Sequence, residues 1–192
     1  MKAATLKARD LKPLSEEQLL LLGARLVLRV AAWSPAGARA SWDKGLALLL
    51  SAGGGVKATP RTVAALAREL QKRGTLGVYG TEPKVTSYAR ASAANALVCA
   101  LQATQLAARK ERWKEVALCA KHAGSVFARQ AHAGRVPIEQ ALPLYWAAVR
   151  ADVACIAQGS APSTAQELLA LGPLWPEGSP DWAHPQVSRL AQ

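Results

Sequence analysis

The chain has 192 residues, 51% hydrophobic and 19% charged, which suits one domain with a sizeable core and excludes a disordered polymer. Its apolar share rests on alanine and leucine, with one Phe and three Tyr, a balance that favours helices over sheet. The net charge of +11 is unevenly spread: residues 1–121 carry 20 Lys and Arg against 8 Asp and Glu, residues 122–192 carry 4 against 5. Such a field steers an anionic partner, and charge alone does not choose among nucleic acid, an acidic protein and an anionic membrane surface.

In chain order, Ser15 with Gln18 three residues on forms a capping box and opens a helix through about Ala32. Its run "QLLLLGARLVLRVAAW" has the apolar texture of a signal peptide, but Glu16 and Glu17 precede it and Arg25 and Arg29 interrupt it. A secretory apolar region tolerates neither well, so the expected location is the cytoplasm. Ser34-Pro35 starts a second helix with Trp42, Leu46, Leu49 and Leu50 at helical spacing. Inside it Ser41 and Lys44 match S-x-x-K, yet no K-T-G or S-D-N companion follows, and both read as solvent-facing helix residues.

The next stretch, "SAGGGVKATP", has the look of a phosphate-cradling loop. Val56 separates the glycines from Lys57, Ala58 stands where a hydroxyl would hold magnesium, and no strand precedes it. It reads as a helix–helix connector, with Gly53 as the left-handed stop and Thr59-Pro60 starting the third helix. Val63, Leu66 and Leu70 share one face of that helix, and Gly74 falls past its end. The connector "GTLGVYGTEPKVT", residues 74–86, is then long enough to be functional, with Tyr79 and Lys84 as candidate partner contacts.

A fourth helix runs from about Ser87 to Ala108. "ASAANALVCALQATQLAA", residues 91–108, carries no charge, but Asn95, Gln102, Thr104 and Gln105 dilute it and alanine adds little to insertion. It reads as a central bundle helix, with no membrane insertion. The fifth helix, about Lys110 to Gln130, places Trp113, Val116, Ala120 and Phe127 on one stripe. At its start "ARKERWKE" concentrates Arg109, Lys110, Arg112 and Lys114 around Trp113. These four are candidate partner-binding residues; the plainer reading is a solvated charged turn, since Glu111 and Glu115 interleave and no helix-turn-helix pattern surrounds them.

Cys119 and His122 lie on one face and would need Cys99 or Cys155 to complete a metal site; core packing is the expected role, with no metal and no cofactor. All three cysteines sit among apolar neighbours, as buried free thiols of a reducing compartment do. A sixth helix from near Pro137 carries Leu142, Tyr145, Trp146, Val149, Val153 and Ile156, with a kink or fresh start at Pro143 and a stop at Gly159. Ser163 and Gln166 form a second capping box, for a short helix ending at Gly172-Pro173. The tail "PLWPEGSPDWAHPQ" is too apolar to be free, so Trp175 and Trp182 either pack on the bundle or anchor a partner.

The architecture read from these signals is all-α: an irregular bundle of about seven helices over residues 1–172, with an irregular Pro/Trp-rich tail, 173–192, packed on the same domain. H-x-E, H-E-x-x-H, G-x-S-x-G and convincing carboxylate pairs are all missing from the sequence, so a non-catalytic protein is expected.

"RLVLRVAAWSPAGARASWDKGLALLL" followed by "SYARASAANALVCALQATQLAARKERWKEVALCAKHAG" resembles the alanine-rich helical immunity proteins of bacterial polymorphic toxin systems. In those proteins a helix-turn-helix with a Trp near a Gly-Leu pair precedes two long Ala-rich helices. The resemblance covers about half the chain and implies a bacterial, non-catalytic protein that binds a cognate toxin. It transfers no individual residue. The basic charge is unlike that of inhibitors that mimic nucleic acid and suits a toxin with an acidic face. The alternative is a basic helical protein that binds nucleic acid through Arg109, Lys110, Arg112 and Lys114.

Overall fold

A computed structural model of the chain describes residues 5–35, 37–79, 84–159, 165–171 and 174. The described residues form seven α-helices and no strand: α1 Glu16–Arg29, α2 Arg39–Gly53, α3 Pro60–Tyr79, α4 Lys84–Ala103, α5 Arg109–Ala133, α6 Ile138–Gln158 and α7 Ala165–Ala170. Short 3-10 turns at Ala8–Leu11 and Ala31–Trp33 flank α1. The all-α bundle read from the sequence is the fold.

Helix α1 is the axis of the bundle. It packs against α2, α4, α5, α6 and α7, and every residue from Leu19 to Arg29 is buried. A helix surrounded on all sides has no solvent face to mark with polar residues, which is why its sequence is apolar all round and looks like a secretory segment. Its start is the expected capping box: Gln18 N–H donates to Ser15 Oγ at 3.2 Å and Ser15 N–H to Gln18 Oε1 at 2.8 Å. The Gln18 amide also donates to the carbonyl of Ile156 at 2.8 Å, tying this cap to α6.

The most extensive contacts join α4 to α5 and α3 to α4. Ala89, Ala93, Ala94, Ala96, Ala100 and Ala103 are all buried along α4, so small side chains let three helix backbones approach there. Among the described residues no helix is long and apolar enough to cross a membrane. In α5 and α6 the predicted stripes face the core: Val116, Ala120 and Phe127 meet Tyr145, Trp146, Val149 and Ile156. The Tyr145 ring lies 5.8 Å from Phe127 and edge-on to Trp146 at 4.8 Å, and its hydroxyl donates to Ala120 O at 2.5 Å.

Several boundaries differ from the sequence reading, each for a local reason. Helix α1 stops at Arg29, and the chain to Trp33 is a separate 3-10 turn. Helix α2 begins at Arg39 rather than at Ser34-Pro35, because Gly37 takes φ +70° and interrupts helical backbone before it. Gly53 is still helical, packed on Leu21; the left-handed residue is Gly55, φ +86°. Gly55 N–H donates to Ala52 O and Val56 N–H to Ser51 O, the paired bonds of a Schellman stop.

Gly74 lies inside α3, where a Cβ would meet Ala91 and Ala94 of α4 at 3.3 Å. The close approach keeps the helix going past a residue that would otherwise end it. The supposed long connector is therefore mostly helix, through Tyr79 and again from Lys84, while residues 80–83 lie outside the described set. Helix α4 ends at Ala103, earlier than Ala108, and α6 is continuous through Pro143. The Ser163 cap lies outside the described residues, as do Trp175 and Trp182; just before them Leu174 is buried against the bundle.

Candidate partner-binding face

The basic junction of α4 and α5 proves to be built into the fold. Arg112 is only 8% exposed. Its Nε donates to Ala103 O at 3.2 Å, its Nη2 donates to Leu106 O, and its Nη1 pairs with Glu16. It therefore satisfies the carbonyls left open where α4 ends, the task of a C-terminal cap. Arg109 donates from Nη2 to Lys12 O and Leu14 O at 2.9 and 2.6 Å, and its guanidinium lies 5.3 Å from the Trp113 ring. Lys114 pairs with Glu111 at 2.9 Å, which lowers the Glu111 pKa. Lys110 alone of the four is exposed with no side-chain hydrogen bond or ion pair among the described residues.

Two further arginines are deeper still. Arg25 and Arg29 project from α1 onto one carboxylate, Asp152 of α6: Arg25 Nε lies 3.2 Å from Oδ1 and Arg29 Nε 3.0 Å from Oδ2. Arg25 also donates to Leu168 O at 2.6 Å and Arg29 to Ala148 O at 3.3 Å. All three charged side chains are buried. Burial lowers the Arg25 pKa, and the neighbouring Asp152 charge opposes that shift. The spacing i, i+4 of two arginines in an apolar helix, facing an acid in another apolar helix, was visible in the sequence and points to this cluster.

The two buried thiols are unsuited to chemistry. Burial pushes Cys99 up to about 12 and Cys119 well above its ordinary value, so both stay protonated. Cys155 differs from the buried thiol expected, being exposed on the outer side of α6. His122 is half-buried, and no group of three metal-ligating side chains occurs among the described residues. Ser41 and Lys44 border a shallow cleft with Arg61, Thr62 and Glu69, and no hydrogen bond joins Ser41 to Lys44 there.

One end of the bundle carries several exposed apolar side chains. Tyr79 is 82% exposed and Leu76 53%. The Lys84 ammonium donates to Val78 O at 2.8 Å, holding the end of α3 against the start of α4. Lys84 directly precedes Val85, which with Ser125, Ala128, Arg129, His132 and Ile138 forms a groove of about 330 Å³. The Arg129 guanidinium sits 4.9 Å from the Tyr88 ring, and Tyr88 and Ile138 are 41% and 40% exposed. Arg129 Nε is enclosed without a hydrogen-bond partner.

The sequence reading reached Tyr79 and Lys84 but missed the groove. Ser125, Arg129 and His132 recur at helical spacing on α5, a polar stripe that does mark a face. Its partner side chains come from α4 and α6, and their proximity is a product of the fold. No protein family, curated protein or solved structure matches the chain.

Proposed function

We propose that the chain is a non-catalytic protein-binding module whose partner is an acidic protein, most specifically an immunity-type inhibitor that binds and neutralises a cognate bacterial toxin. One observation carries this reading: aromatic and apolar side chains stand exposed near the Arg129 guanidinium, which meets no carboxylate among the described residues. Exposed apolar surface combined with Tyr and Arg is the composition of protein interfaces, where those residues dominate binding energy. The assignment to an immunity system rests on the sequence resemblance and on the basic charge, which complements an acidic toxin surface.

The test is capture of the tagged chain's partner from its native lysate, with and without nuclease, followed by elution in a salt gradient. The reading expects one stoichiometric protein that survives nuclease and moderate salt, and that is neutralised by the chain when the two are co-expressed. Nucleic acid leaving at modest salt with no protein would replace it with the nucleic-acid reading, since phosphate contacts weaken steeply with salt.

A further inference from the structure

We infer that the groove between α4, α5 and α6 is the docking site for an acidic peptide segment of the partner, one that places a carboxylate on Arg129 and an adjacent apolar side chain against Val85 and Ile138. This rests on the protein-binding reading and specifies where and by what chemistry the partner is held.

Three observations converge on that occupant. None of the groove's lining residues among those described is acidic, while Arg129 and His132 both line it. Among the described residues the Arg129 guanidinium meets the π face of Tyr88 and no carboxylate, and its enclosed Nε has no hydrogen-bond partner. Arg25, Arg29, Arg109 and Arg112 are instead bound to a carboxylate or a backbone carbonyl of their own chain. A guanidinium stacked on a ring is held in place, and its two terminal nitrogens match a carboxylate that accepts two bonds.

The walls select for more than charge. Val85, Ala128 and Ile138 are apolar, so a bare anion would leave them wet, whereas a carboxylate beside a Leu- or Phe-like side chain fills both parts. Lys84 directly precedes Val85 and Arg135 lies three residues after His132, two further positive charges close to the lining in sequence. A small free carboxylic acid would use the same Arg129 contact but would gain little from the exposed Tyr79 and Tyr88 outside the groove. The open rim therefore favours a chain over a small molecule.

The experiment is selection of displayed random twelve-residue peptides on the full chain, with binding of the enriched peptides then measured to the wild type, Arg129→Gln and Ile138→Glu. Ile138 is partly exposed at the first position of α6, so its replacement leaves the core intact and provides a second variant should Arg129→Gln disturb packing. The proposal expects enriched peptides that pair Asp or Glu with a large apolar residue, and about tenfold weaker binding to each variant. It expects the same loss when the peptide acid is replaced by its amide. Peptides without an acidic residue, equal affinity for the variants, or no enrichment over a blank support would each overturn it.

The two readings fail separately. A nuclease-resistant protein partner that the Arg129→Gln and Ile138→Glu chains retain undiminished removes the groove and leaves the binding module. Groove-dependent acidic peptides with no protein partner in the lysate keep the groove and remove the module.

Discussion

Arg25 and Arg29 in α1 and Arg129 in α5 are the same residue type placed in two regions with opposite consequences. The first pair shares Asp152 in a dry core, with Leu168 O and Ala148 O taking further N–H groups. Arg129 lies half-covered at the bundle end, stacked on Tyr88, with no carboxylate against it among the described residues. In the core each charge is a constraint on how α1 and α6 sit together. At the groove the charge is left over, and a leftover charge beside exposed aromatics is surface that a partner can use. Net charge alone therefore does not locate the site: Arg25, Arg29, Arg109 and Arg112 are bound internally, as helix caps and core pairs.

The largest effect that distinguishes the regions is loss of the shared carboxylate. Asp152→Ala leaves two guanidinium groups buried without their counter-charge and is expected to cost about 3–5 kcal/mol in urea unfolding. Arg129→Gln is expected to stay within about 0.5 kcal/mol of wild type, as surface changes do. Equal losses would erase the distinction. The same contrast repeats at the α4–α5 junction. Arg112→Ala removes the cap on Ala103 O and Leu106 O and should cost about 1.5–3 kcal/mol, the range for hydrogen bonds from charged groups, whereas Lys110→Ala should be near neutral.

A smaller effect lies beside the groove. Arg135 takes φ +60° at the turn after α5, where Arg135 N–H bonds His132 O and Val136 N–H bonds Ala131 O. Glycine precedes it, at 134, one place short of the position that needs left-handed backbone. Arg135→Gly should raise stability by about 0.5–1 kcal/mol.

The smallest is a pH effect. Burial lowers the His122 pKa, so the unfolded chain binds that proton more readily than the folded one. Its contribution is intact above the ordinary imidazole range and is lost as pH falls below about 6.5. His122→Gln should flatten that part of the stability–pH curve, and an unchanged slope would show that another group sets it.

The helices were legible because their signals are local: Ser15 with Gln18, Thr59-Pro60, and the apolar stripes of α3, α5 and α6 each need only a few neighbouring residues. Boundaries failed where a tertiary contact overrode a local signal. Gly74 reads as a stop and is instead a contact point with Ala91 and Ala94. The candidate site followed the same rule. Tyr79 and Lys84 were found because they flank an apparent loop, while Arg129, His132 and Ile138 escaped because the groove exists only once α4, α5 and α6 meet. Conversely, the densest basic cluster in the sequence drew attention as a binding patch, yet Arg109 and Arg112 spend their donors on backbone carbonyls that no sequence pattern displays.

The most direct test of this division is site-specific photo-crosslinking from the full chain in its native lysate. A photoreactive side chain would replace Ile138 at the groove in one sample and Lys110 at the basic junction in another. The account predicts a single nuclease-resistant protein adduct from position 138 and none from position 110. An adduct formed from 110 alone, or one that nuclease destroys, would contradict it and return the function to the α4–α5 junction.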